Sequence, residues 1–363
     1  MYLKSGSAKL LIIIIFLCAI RAYAQYDYNY PPPIEKNDGL EVASLLEFTT
    51  DTTNLFKLLH QLKEHENHLH SMLFFKDGQL LLEEYFNGQK PEEVHDLRSV
   101  TKSIRALLVG IAIDKGFIKS VDDSIEKYFG TVYSEVDWSV KRKITIENLL
   151  TMSSGLDCND WNKKSKGQED RVHKKKDWIT YTLQLPLVNE PGTVSNYCSM
   201  GTVLLAEIIR IASGMEIDEF AQKYLFEPLG IIHQKWGHTS SKEVITSGKR
   251  LYLRSRDLAK LGLLVANQGN WKGNQLVSSN WIMEATTSKT KITNLDYGYL
   301  WWSIPLQSNG NILVSKTATG NGGQYIFIIP DNDLVVIFTG DAYNLPEDKL
   351  PFTIMQKAIL PLF

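Results

Sequence analysis

Strand-like and helical patterns are segregated along this chain, and that arrangement limits its fold more than any other feature of the sequence. Near the front, residues 71–75 and 80–86 are apolar runs joined through Asp77-Gly78, a dipeptide that suits a tight β-hairpin turn. Far along the chain, residues 297–302, 312–319, 325–329 and 334–339 read as strands, and residues 351–360 as a closing helix. Between them the patterns are mainly helical. Leu55, Leu58, Leu59 and Leu62 already mark a helix over 54–65, ahead of the hairpin. Ile104, Leu107, Leu108, Ile111 and Ala112 mark an amphipathic helix that ends near Gly116. The expected class is α+β: one antiparallel sheet built from both chain ends and flanked by helices, with a mainly helical lobe inserted over about 117–285.

The first residues stand apart from that fold. Lys4 and Lys9 give a positive start, residues 10–20 are an unbroken apolar run, and Ala22-Tyr23-Ala24 offers small residues around a cleavage point. The pattern predicts a signal peptide over 1–24, cut before Gln25. Cys18 follows Leu17 rather than a small residue, so no lipid anchor is expected. Three consecutive prolines at 31–33 predict an extended linker over 25–40, ahead of the folded domain over 41–363. An exported protein, periplasmic or extracellular, is the expectation. Its formal net charge of -2 gives no electrostatic case for nucleic acid or an anionic membrane. Two cysteines, Cys158 and Cys198, remain after cleavage. In an oxidising compartment they are candidates for one disulfide, with two packed thiols as the alternative.

Three short constellations carry possible chemistry. Ser99-Val100-Thr101-Lys102 opens the most apolar helix of the mature chain. Positions three apart share a helix face, so Lys102 can serve as the base a serine nucleophile needs, beside the unpaired N–H groups of a helix start. The spacing alone is weak, since Ser124 to Lys127 and Ser288 to Lys291 repeat it, and Ser99 also suits a helix cap. The second constellation is Pro191-Gly192-Thr193-Val194-Ser195-Asn196-Tyr197-Cys198-Ser199, followed by an apolar helix, a loop that can deliver a tyrosine into a cleft. The third is Thr319-Gly320-Asn321-Gly322-Gly323-Gln324, between two strands, where glycines permit a tight turn.

Together, in this order and spacing, they resemble the serine β-lactamase and penicillin-binding-protein superfamily, in its class C-like branch of esterases, amidases and D-amino-acid peptidases. Leu149-Leu150-Thr151-Met152-Ser153-Ser154-Gly155-Leu156 and Arg256-Asp257-Leu258-Ala259-Lys260-Leu261-Gly262 extend the resemblance over nearly all of the mature chain. It implies a β-lactamase/transpeptidase-like fold in which Ser99 is the nucleophile of an S-x-x-K motif, Lys102 the base and Tyr197 a second acid/base. It implies an oxyanion hole of the Ser99 and Asn321 N–H groups, with Ser199, Thr319 and Gly320 against the substrate. It also places Cys158 and Cys198 on one wall of the cleft. No metal and no organic cofactor are implied.

Two departures bear on specificity. The second motif usually ends in Asn, and here it ends in Ser199. The third is usually led by Lys or His, and here Ala318 stands in that place. A rival register, Lys316-Thr317-Ala318, keeps a cation but lacks the glycine. The implied function is hydrolysis of an ester, amide or small peptide through a Ser99 acyl-enzyme. A D,D-carboxypeptidase or β-lactamase anchored by Lys316 is the first alternative. A non-catalytic protein that binds peptidoglycan fragments is the second. The implied partner is a small-molecule or peptide substrate, with no membrane anchor once the signal is removed.

Other features have blander readings. His60, His65, His68 and His70 crowd together without a carboxylate or cysteine that would complete a metal site. The basic run between Lys163 and Lys176 reads as a solvated loop, and Trp301-Trp302 as core.

Overall fold

The computed structural model describes residues 30–237 and 246–363. The expected signal peptide, and the first part of the expected linker, lie outside the described residues. The strands are β1 (Glu41–Val42), β2 (Leu69–Lys76), β3 (Gln79–Tyr85), β4 (His95–Asp96), β5 (Lys235–Gly237), β6 (Arg250–Leu253), β7 (Asn270–Trp271), β8 (Asn274–Gln275), β9 (Thr290–Ile292), β10 (Leu295–Tyr297), β11 (Trp302–Ser308), β12 (Asn311–Gly320), β13 (Gln324–Ile329) and β14 (Leu334–Gly340). The longer helices are α1 (Thr53–Glu64), α2 (Val100–Asp114), α3 (Ser199–Ser213), α4 (Ser255–Ala266) and α5 (Ser279–Thr286).

Nine strands form one sheet in the order β1-β3-β2-β14-β13-β12-β11-β10-β9. Only β1 pairs in parallel, with β3; the other neighbours are antiparallel. The first three strands come from the front of the chain and the other six from beyond residue 289. They meet where β2 pairs with β14. This is the α+β architecture expected from the segregated patterns. Asp77 and Gly78 both have positive φ, 52° and 80°, which gives the β2–β3 hairpin a turn matched to strand twist.

The centre of the sheet is covered on both faces. Every residue of β13 and β14 is buried. Helix α4 packs on one face, where Gly262 lets it approach Val335 and Ile326. On the other face Phe352 meets Tyr325 and Phe327 edge-on. Helix α2 is buried along its whole length from Val100 to Ala112. Its Gly110 is explained by α5: a Cβ there would lie 2.2 Å from the Trp281 ring, whose Nε1 donates to the Ala106 carbonyl at 3.0 Å.

Three details differ from the sequence reading. Residues 297–302 are not one strand. β10 ends at Tyr297, β11 begins at Trp302, and Gly298–Trp301 is a buried connection in which Leu300 has φ 61°. The apolar run reflects burial of that turn against α5, whose Ala285 carbonyl accepts the Tyr299 N–H. Second, α4 falls inside the span assigned to the helical lobe but packs on the sheet. Third, packing begins within the span read as linker. Tyr30 is buried, its hydroxyl donates to the Glu83 carbonyl at 3.0 Å, and Arg256 binds Asp38 and the Ile34 carbonyl.

Candidate active site

The strand-to-helix turn ahead of α2 is built to expose Ser99. β4 pairs with β6, and the Leu97 N–H donates to the Leu251 carbonyl. Arg98 then takes a left-handed conformation, φ 49°, with its N–H held by Asp96 at 2.9 Å. Ser99 follows at the N-cap of α2. Lys102, one turn on and only 8% exposed, donates from Nζ to the Ser99 Oγ at 2.8 Å. The other two Ser-Lys spacings are spent elsewhere: Ser124 on the Arg142 carbonyl, Lys127 on Asp123, and both Ser288 and Lys291 on Asp296.

Tyr197 sits beside this pair. The Lys102 Nζ lies 5.1 Å from its ring centroid. The ring stacks on Trp161 at 5.0 Å and on Trp302 at 6.1 Å, so three aromatic faces form one wall of the cleft. Trp301 is core, as expected for the pair, whereas Trp302 also lines the cleft. The disulfide between Cys158 and Cys198, with Cα atoms 5.4 Å apart, clips the Tyr197 loop to the loop carrying Trp161.

The end of β12 closes the opposite side. Gly320 packs so tightly on the turn before Ser99 that a Cβ would lie 2.5 Å from the Leu97 carbonyl oxygen. This contact brings Asn321 into the lining shared with Ser99 and Lys102. The turn itself is tethered: the Asn321 amide exchanges bonds of 2.9 and 3.0 Å with Asn344, and the Gly322 carbonyl accepts the Ala342 N–H. Thr319 faces the cleft, while Ala318 points into the core beneath the sheet with no exposure. Lys316 is on the Ala318 face and lines a different cavity, so it does not supply the missing cation. Arg98, Arg105 and Arg250 do border the cleft floor. Arg98 and Arg250 pair with Asp96, and Arg105 binds Thr202 and the carbonyls of Ser247 and Lys249.

Asp160 has no counterpart in the sequence reading. Its Oδ2 accepts the Ser199 N–H at 2.7 Å, its Oδ1 accepts the Glu169 N–H at 3.1 Å, and its own N–H donates to the Tyr197 carbonyl at 2.8 Å. Burial raises its pKa to about 6, with the Glu169 charge adding to the rise. Lys102 and the Ser199 hydrogen bonds pull the other way. The only hint in the sequence is its place two residues after Cys158. The basic run also departs from its bland reading, because Lys163, Arg171 and Lys174 line the cleft mouth.

The family model named Beta-lactamase matches residues 62–352. The chain belongs to the Beta-lactamase family. It is 23% identical to a 6-aminohexanoate-dimer hydrolase of Paenarthrobacter ureafaciens, over 74% of this chain and 71% of that protein. Among solved structures it is similar to an octameric penicillin-binding protein homologue from Pyrococcus abyssi, with TM-score 0.63 and 21% identity over 83% of this chain and 76% of that one. It is also similar to EstCE1, a hydrolase with promiscuous acyltransferase activity, with TM-score 0.63 and 13% identity over 82% and 98% of the two chains. The protein is thus a β-lactamase-family serine hydrolase.

Proposed function

We propose that this β-lactamase-family hydrolase is exported and cleaves an ester or amide through an acyl-enzyme on Ser99. The observation that carries the reading is the 2.8 Å contact from the Lys102 Nζ to the Ser99 Oγ at the mouth of α2. Lys102 takes the Ser99 hydroxyl proton as Oγ bonds to the carbonyl carbon. The N–H groups of Ser99 and Asn321 receive the oxyanion. Tyr197 passes a proton to the leaving oxygen or nitrogen as that bond breaks, then helps deprotonate the water that releases the acid. Ser199 and Thr319 border the acyl group on either side. The expected signal peptide and the clipped cysteine pair support export.

Substrate choice follows from the third motif. Ala318 offers nothing to a substrate carboxylate, Lys316 opens elsewhere, and the arginines of the cleft floor are bound internally, which leaves Lys163, Arg171 and Lys174 of the cleft mouth, outside the third motif. This favours neutral esters and amides over β-lactams. The name of the Paenarthrobacter relative supports linear amides as a class to include.

The test is mass spectrometry of the intact protein with a fluorophosphonate, alongside rates on p-nitrophenyl acetate and nitrocefin. One adduct is expected in the wild type and none in Ser99→Ala, while Ser124→Ala and Ser288→Ala label normally. Labelling that persists in Ser99→Ala ends the assignment. The ester should outpace nitrocefin by roughly ten- to a hundredfold, the value of one charge-assisted contact. A preference for nitrocefin would mean that another cation anchors the carboxylate.

A further inference from the structure

Lys316, the residue of the rival register, marks a second cavity. It is half-buried on β12 and opens into a space of about 360 Å³ toward the end of the sheet remote from Ser99. That space lies between the C-terminal turn of α4 and the far end of β13, with Leu263, Val265, Ile328 and Val335 among its walls and the buried Trp271 at one side. The cleft, by contrast, is bordered by the other end of β12 and by Asn321.

The charges of this cavity are arranged unevenly. Burial alone pulls the Lys316 ammonium below its ordinary pKa, and no carboxylate among the described residues offsets it. Lys272 adds a second ammonium at the lip, where it approaches Gly39. Three carboxylates border the same cavity, Glu41, Asp77 and Asp333, but all three are exposed at its rim, and Asp77 is paired with Lys76. A half-buried cation therefore faces apolar walls and an indole, with negative charge confined to the outside. Nothing in the chemistry at Ser99 uses these groups.

We propose that this cavity is a binding site for a small organic monoanion, a carboxylate carried on an aromatic or short aliphatic body. The carboxylate pairs with Lys316, the body lies along Trp271 and the aliphatic walls, and the rim carboxylates oppose a second negative charge at the outer end. The site is separate from the acyl-enzyme chemistry, which enters its test only through the block on Ser99.

The test uses 4-(trifluoromethyl)phenylacetate as a probe followed by ¹⁹F NMR, with the corresponding carboxamide as its neutral match, on protein whose Ser99 has been blocked by fluorophosphonate. The carboxylate should bind saturably in the millimolar range or tighter, and the carboxamide about tenfold more weakly or worse. Lys316→Met should lower carboxylate affinity by about tenfold or more, while Lys316→Arg, which keeps the charge, recovers most of it. Thermal melts of both variants check that the fold is kept, and the Arg variant carries the test if the Met variant does not fold. Equal affinity for carboxylate and carboxamide would overturn the proposal. So would unchanged binding in Lys316→Met, loss of binding in Lys316→Arg with the fold intact, or no saturable binding at about 10 mM. On unblocked protein the probe should leave p-nitrophenyl acetate hydrolysis unchanged at saturation. Competitive inhibition at the binding concentration would place the probe in the Ser99 cleft and sink the second site.

Discussion

Asp160 places a carboxylate beside the Ser99–Lys102 pair at the point where the second motif lacks its usual amide. Its carboxylate accepts the Ser199 N–H at the start of α3 and the Glu169 N–H, while its backbone N–H donates to the Tyr197 carbonyl. With its pKa at about 6, it is ionised at neutral pH and gains its proton across the mildly acidic range. Protonation weakens its grip on the Ser199 and Glu169 N–H groups and so loosens the loop that carries Tyr197. The ester kcat/KM should therefore fall along a one-proton limb below pH about 6. Asp160→Asn should erase that limb and lower the neutral plateau about tenfold, ~1.4 kcal/mol of transition-state stabilisation. An unchanged acid limb in the variant would assign the limb to another group. Gly320 makes a steric counterpart. In Gly320→Ala the new Cβ meets the Leu97 carbonyl oxygen, and backbone cannot rotate away as a side chain can. The strain is about 1–3 kcal/mol by the measure of overpacked cores, enough to pull Asn321 off Ser99. Ester turnover should drop by roughly tenfold or more with only a modest fall in melting temperature, and unchanged turnover would remove Gly320 from the site. Of these residues, Ser99, Lys102, Tyr197 and Gly320 were legible because each belongs to a local motif with a spacing. Asp160 was not, because its role arises from a contact across 39 residues that no local pattern records.

Among the elements, the loop pair 158–169 and 196–199 decides how firmly the cleft wall stands. These segments have no regular hydrogen-bond ladder of their own. They are joined instead by the Cys158–Cys198 bridge, the Asp160 bonds and the stack of Trp161 on Tyr197. The bridge closes a separation of 40 residues, for which the chain-entropy model allows about 4 kcal/mol. Cys158→Ser should therefore lower the melting temperature clearly and slow ester turnover, and dithiothreitol should do both to the wild type. Two titratable thiols in denatured, non-reduced protein would refute the bridge. Strand assignment shows how far periodicity carries. β13 and β14 were readable because an apolar strand buried on both faces is a short unbroken run with turn residues at its ends. The same signal misled at 297–302, where an equally apolar run is a turn packed under α5. Hydrophobicity reports burial, and only a second cue separates strand from buried turn. Here Gly298 was that cue, since a Cβ on it would strike the Ala285 carbonyl at 2.3 Å.

At the scale of the whole molecule, the sheet exists only when the two ends of the chain meet, and a small polar network marks the seam. β2 carries His70, with His68 just before it, and Asp341 follows β14. The His68 Nδ1 lies 2.8 Å from Asp341, the His70 Nε2 lies 3.4 Å from it, and the His70 Nδ1 lies 2.8 Å from the His95 Nε2 on β4. Histidines that looked in the sequence like a failed metal site thus join the front of the chain, its end and the strand leading to Ser99. Two rings 2.8 Å apart cannot both carry a full charge cheaply. Burial, and next the charge of His70, push the His95 pKa below its ordinary value, against smaller opposing pulls from Asp96 and Asp341. The unfolded chain then binds more protons at this position than the native one as pH falls through the ordinary histidine range. His95 therefore contributes stability that is present at neutral pH and lost on acidification through that range, with no further loss below its native pKa. The opposite sign holds for Asp160, whose raised pKa favours the native state as pH falls from about 6 toward the ordinary carboxylate range. A wild-type melting curve alone would mix the two effects, so the comparison must be with His95→Gln, which keeps a polar group beside His70 but does not titrate. Between pH 7.5 and 5.5, melting temperature should fall more steeply in the wild type than in His95→Gln. Parallel slopes would mean that the seam does not titrate.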